Sequence, residues 1–165
     1  MYEVKVEGLM IEPKENRPVL MLVSEALGKM VPIEVNMGEA LGILGVLNKN
    51  NGDKPQTYEL FHEFIAGIGA DVSAVEITDY FNHRYSARIA FDFDEDIFEL
   101  EARVADAVAL AVKFQAPIYI SQDVINLMGE DYKDSIVVSD ESPDGQRWTE
   151  YLTNLKPEDF GKYKS

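Results

Sequence analysis

The sequence predicts an α+β fold: a mixed, largely antiparallel sheet with packed helices in a single domain, followed by a short C-terminal helical tail. Three observations lead there. Strand-like alternation recurs in neighbouring stretches with only turns between them, which favours antiparallel pairing. Between these groups lie stretches of helical period with capping residues at their starts. Hydrophobic residues make up 46% of the 165-residue chain and charged residues 27%, the balance of a chain that folds around a sizeable core.

Tyr2, Val4 and Val6 alternate with Glu3, Lys5 and Glu7, the period of a strand with one buried face. A loop through Pro13 and Asn16 leads to the apolar run Pro18 to Val23, which suits an interior strand. Gly28 marks a turn, after which Val31, Ile33 and Val35 alternate, so three strands form a meander. Asn36 and Glu39 have the spacing of a capping box, and the helix they open carries Ala40, Leu41, Ile43, Leu44 and Leu47 before ending near Asn50-Asn51-Gly52. Thr57 is the expected N-cap of a second helix with an apolar face of Leu60, Phe61, Phe64, Ile65 and Ile68, closed by Gly69.

A strand from Val75 to Phe81 then turns through Asn82-His83 into the cleanest alternation in the chain, Tyr85, Ala87, Ile89, Phe91 and Phe93. The acidic turn Asp94-Glu95-Asp96 leads to a strand with Phe98, Leu100 and Ala102 on one face. A helix from Glu101 to Gln115 follows, built of small and β-branched residues that permit close packing on a sheet. A short strand, Pro117 to Ile120, and a last helix capped by Ser121 end the domain near Met128. Residues 129–165 change character: an acidic connector, then a short amphipathic helix through Trp148, Tyr151, Leu152 and Leu155, with Phe160 and Tyr163 in the tail. The expected organisation is a domain over 1–128 and a connector with tail over 129–165.

Composition excludes several chemistries. With no cysteine there is no disulfide, thiolate nucleophile or cysteine-ligated metal. The start of the chain lacks a basic segment leading into an apolar run, and Val104 to Val112 is too short to span a bilayer, so a cytoplasmic protein without membrane contact is expected. The net charge of −15 opposes non-specific, salt-driven binding to nucleic acid.

Polar constellations stand out in three places. Arg103 and Asp106 lie three apart on a nearly apolar helix, as an ion pair or as a phosphate-binding cation beside a proton acceptor. Glu59, His62 and Glu63 share a helix face at spacings that serve either a divalent metal or solvent. Asp92, Asp94, Glu95 and Asp96 offer carboxylates for magnesium or simply form an acidic turn. No phosphate-binding glycine loop, nucleophile elbow or His-Glu-x-x-His motif is present.

The ordered set Val31-Pro32-Ile33, Gly38-Glu39-Ala40, Lys54 to Leu60, Glu101 to Ala111 and Ala116 to Ile120 resembles the bifunctional nuclease domain family, from about Val4 to Met128. The tail Pro157 to Tyr163 is similar to that of bacterial members. The resemblance implies hydrolysis of phosphodiester bonds in RNA or DNA, with Mg or Mn as a candidate cofactor, and places the catalytic residues at Lys54, Glu59, Arg103 and Asp106. The alternative is a non-catalytic regulatory or protein-binding module of the same family. The family's second motif, Arg-Pro-Leu-Thr-His-Asp, has Lys54 for its Arg, Tyr58 for its His and Glu59 for its Asp. In the third motif, Asp-Ala-Arg-Pro-Ser-Asp-Ala, Glu101 replaces the first Asp and Val104-Ala105 replaces Pro-Ser, whereas Arg103 and Asp106 match. Tyrosine titrates about three units above histidine, so the acid–base chemistry of position 58 changes. His62, one turn along, is the residue placed to compensate. Sheet-forming strands and a detachable tail point to a homo-oligomer, most simply a homodimer.

Overall fold

Two antiparallel meanders, zipped together by one short strand, build the 7-stranded sheet of the protein, in the order β3-β2-β1-β7-β4-β5-β6. The computed structural model describes residues 1–12, 16–48, 55–81 and 84–127. The first meander comprises β1 (Tyr2–Glu12), β2 (Arg17–Ser24) and β3 (Lys29–Glu34). The second comprises β4 (Ala70–Phe81), β5 (Arg84–Phe93) and β6 (Asp96–Arg103). Strand β7 (Ile118–Ile120) runs antiparallel to β1 and parallel to β4, pairing Ile118 with both Val4 and Val75. The sheet is therefore mixed but largely antiparallel, and the fold is α+β, as the alternations predict.

Alternation decides which side chains enter the core. In β5, Ala87, Ile89 and Phe91 are buried while Arg84, Ser86 and Arg88 are exposed. On the outer face Arg88 bridges to Glu99 at 2.9 Å and to Glu76 at 3.7 Å, tying three neighbouring strands. Leu20, Leu22, Ile33, Val75, Ile77 and Ile120 are almost wholly buried.

Helices α1 (Met37–Leu47), α2 (Thr57–Gly67) and α3 (Val104–Phe114) pack on one another and on the sheet. The capping box forms as expected: Asn36 Oδ1 accepts from the Glu39 N–H, and Glu39 accepts from the Asn36 N–H, both at 2.9 Å. Helix α1 ends at Leu47, earlier than the Asn50-Asn51-Gly52 signal, which lies outside the described residues. Gln56, not Thr57, is the N-cap of α2, and Thr57 is its first helical residue. Gly69 has φ +79° beyond the end of α2, the left-handed conformation that glycine adopts without strain. Asp94, at φ 55°, makes the β5–β6 turn in a conformation that aspartate tolerates, so the acidic cluster there serves as a turn.

The helix expected from Glu101 starts three residues later. Glu101 and Ala102 are held in β6 by pairing with Arg88 and Ala87, and Arg103 still pairs with Ser86. The strand ladder wins because its cross-strand partners precede the helix. Past Gln115, Ser121 Oγ accepts from the Val124 N–H at 3.1 Å and caps a short helix over residues 122–127. Residues Met1–Ile125 form one compact unit. The Asn82-His83 turn, the connector and the expected tail helix through Trp148 and Leu155 lie outside the described residues. Among the described residues, no helix is long and apolar enough to cross a membrane.

Candidate active site

The junction between β6 and α3 assembles a polar cluster in which residues singled out by sequence spacing meet directly. Arg103 is the N-cap of α3, with extended backbone (φ −67°, ψ 145°), and Asp106 sits in the first helical turn. A carboxylate there faces the positive end of the helix dipole. Arg103 Nε donates to Asp106 Oδ2 at 2.6 Å, and this pair raises the guanidinium above its ordinary range. The second oxygen, Oδ1, accepts the Tyr58 hydroxyl at 2.7 Å. Arg103 also reaches Glu39 Oε1 at 3.3 Å, while the other Glu39 oxygen caps α1. Two carboxylates to one guanidinium leave this cluster one charge negative. The Arg103 side chain is nevertheless 67% exposed, against 29% for Asp106.

Helix α1 makes room for Tyr58. A Cβ on Gly42 would lie 2.8 Å from the Tyr58 ring, and one on Gly45 would lie 2.6 Å from the Gln56 side-chain oxygen. Glycine inside a helix costs roughly 0.5–1 kcal/mol relative to alanine, and at Gly42 the close approach of the rigid Tyr58 ring is the physical return for that cost. Tyr58 is half-buried, and burial, followed by the hydrogen bond and the charge of Asp106, drives its phenol well above the ordinary tyrosine range. It is a neutral donor at physiological pH.

That shift has a testable sign. Above about pH 10 the unfolded chain loses the Tyr58 proton while the folded chain keeps it, so the unfolded state binds fewer protons and stability falls as pH rises. Thermal unfolding of the wild type and Tyr58→Phe at pH 8 and pH 11 is expected to show a stability advantage for tyrosine that narrows at the higher pH. An unchanged gap would refute the proton-donor role.

The four predicted catalytic residues are not all brought together. Arg103 and Asp106 meet directly. Glu59 is turned the other way, accepting from the Gln56 N–H at 3.0 Å and from Lys113 Nζ at 3.3 Å. The backbone hydrogen bond and then Lys113 hold its carboxyl below the ordinary range. Lys54 lies outside the described residues. His62 packs its ring on Phe114, with centroids 4.5 Å apart. Among the described residues no group of three or more His, Asp or Glu side chains is arranged to hold a metal, so the Glu59-His62-Glu63 spacing does not mature into a centre. Sequence reasoning missed Glu39 and the positive part played by Tyr58. The capping box located Glu39, but nothing in it signals a partner on another element.

Beside this cluster opens a groove of about 610 Å³ lined by Thr57, Tyr58, Leu60, Phe61, Phe64, Asp106 and Leu110. The apolar face expected of α2 is not a buried face: only Ile65 is buried, while Leu60 and Phe64 are each 59% exposed. The first turn of α2 is anchored through Gln56, Tyr58 and Glu59, leaving the following turns to wall the groove instead.

Two uncharacterized proteins of Mycobacterium tuberculosis, from two strains, are each 28% identical to the chain over 170 residues, covering 97% of it and 98% of their own length. Residues 19–133 match the bifunctional nuclease domain, a span that runs from within β2 to beyond β7 and takes in α1, α2, α3 and the cluster at Arg103 just described. The chain belongs to the bifunctional nuclease domain family.

Proposed function

We propose that this chain hydrolyses phosphodiester bonds of RNA or DNA at the Arg103–Asp106 cluster. The observation that carries the reading is an exposed guanidinium held at 2.6 Å by a carboxylate, within the matched family domain and at the edge of a groove. Arg103 neutralises the phosphate as charge develops on its oxygens. A water oxygen bonds to phosphorus while the bond to the leaving oxygen breaks. Asp106 takes the water proton, and that proton ends on the leaving oxygen. Tyr58 stays protonated and orients Asp106. Lys54 supplies a second cation, and Glu59 sets the start of α2 against Lys113. The Mg or Mn that the resemblance implies has no matching donor set among the described residues.

A second reading, a non-catalytic binding module, is favoured by two features: Asp106 and Glu39 already pair with Arg103, and a phenol raised above its ordinary range stands where the family has an imidazole. Labelled single-stranded RNA and DNA, incubated with and without Mg or Mn, separate the two. Arg103→Ala is expected to remove cleavage, and Arg103→Lys to restore part of it. Cleavage unchanged in Arg103→Ala would end the site assignment, and no cleavage by the wild type under any condition would favour the binding module.

A further inference from the structure

The chemistry above leaves the groove unused, although its lining includes Tyr58 and Asp106. Its walls are Leu60, Phe61, Phe64 and Leu110, and a volume of about 610 Å³ is in the range that holds a small ring system. A ligand that fills it while touching Arg103 joins an apolar part to an anionic part. We propose that the groove takes an unpaired base of a single-stranded nucleic acid, stacked on Phe61 and Phe64, while Arg103 meets the adjoining phosphate. This inference rests on the nuclease function proposed above and names its substrate class.

Charge is what selects the single strand. With a net charge of −15 and a cluster one charge negative, the protein has little to gain from phosphates alone, which drive most non-specific binding. Affinity has to come from another source. Base–aromatic stacking supplies it, and is available only when bases are not already paired and stacked in a duplex. Phe64 and Leu60 are exposed on the protein side, so the stacking surface is open before the ligand arrives.

Fluorescence anisotropy in EDTA tests this with three labelled probes: a single-stranded oligonucleotide, an abasic strand of equal length, and a duplex. The wild type is expected to prefer the first over both others. Phe61→Ala and Phe64→Ala are expected to weaken it about 5- to 100-fold while leaving the abasic probe unaffected. Phe64→Leu, which keeps apolar volume but not the ring, is expected to behave like Phe64→Ala, with circular dichroism confirming that each variant folds. Equal binding of abasic and base-containing strands would overturn the base groove, and loss of cleavage only in Arg103→Ala would show that the nuclease assignment survives it. A groove covered by a second copy would instead give a dimer that Phe64→Ala dissociates, with oligonucleotide binding unchanged. If no probe binds and none is cut, both proposals fall.

Discussion

Asp106→Ala is expected to abolish cleavage and to cost about 2 kcal/mol of folding stability, well beyond the stability loss from Arg103→Ala. Both Asp106 oxygens are committed, one to the Tyr58 hydroxyl at 2.7 Å and one to Arg103 at 2.6 Å. A hydrogen bond to a charged group contributes about 1.5–3 kcal/mol, and the half-buried phenol would lose its acceptor altogether. Arg103 is mostly solvated, and an exposed ion pair is worth roughly 0–1 kcal/mol, so its removal spares the fold. Asp106→Asn keeps an acceptor for Tyr58 and is expected to fall between the wild type and alanine in stability while remaining inactive. Urea unfolding measures the order. Equal losses for Asp106→Ala and Arg103→Ala would show that the Tyr58 contact contributes nothing.

Ala107→Leu is expected to cost a similar amount, about 1–3 kcal/mol, without touching the polar cluster. Ala107 has no exposed surface, and Ala109 and Ala111 on the same helix are equally enclosed. Helix α3 contacts α1, α2, β4, β5 and β6, so added methylenes meet packed neighbours on every side. Leucine is nearly as good a helix former as alanine, which leaves steric crowding as the cause of any loss. For a chain of this size each kcal/mol lowers the melting temperature by roughly 2–4 °C. A melting temperature unchanged by the substitution would mean that α3 does not pack as closely as its small residues imply.

Local physics made much of the fold legible in the sequence. Alternation in Tyr85 to Phe93 and in Val31 to Ile33 identified strands, and Asn36 with Glu39 identified a helix start, because each depends on residues close in the chain. Position in the sheet was not legible. Ile118 to Ile120 is only three residues long, yet it joins the two meanders, since its place is set by partners at Val4 and Val75 far away in sequence. The exposure of α2's apolar face was not legible for a related reason: period shows which residues share a side, not whether another element covers it. At the site, Arg103 and Asp106 were readable from spacing, whereas Glu59 was drawn off by Gln56 and Lys113, a contact 54 residues away. Tyr58 read as a lost histidine and proved to be the donor that holds Asp106.

The glycines of α1 bear on how this chain could have departed from the family's usual motif. Tyr58 lies against Gly42 so closely that no side chain at 42 leaves the ring where it is. Alanine there, normally a gain for a helix, becomes a loss as long as residue 58 is a phenol reaching Asp106. The two positions are thus epistatic: a larger residue at 42 is tolerable only after 58 has shrunk. A histidine at 58 would place a shorter side chain in a recess shaped for tyrosine, and alanine at 42 would then meet less crowding.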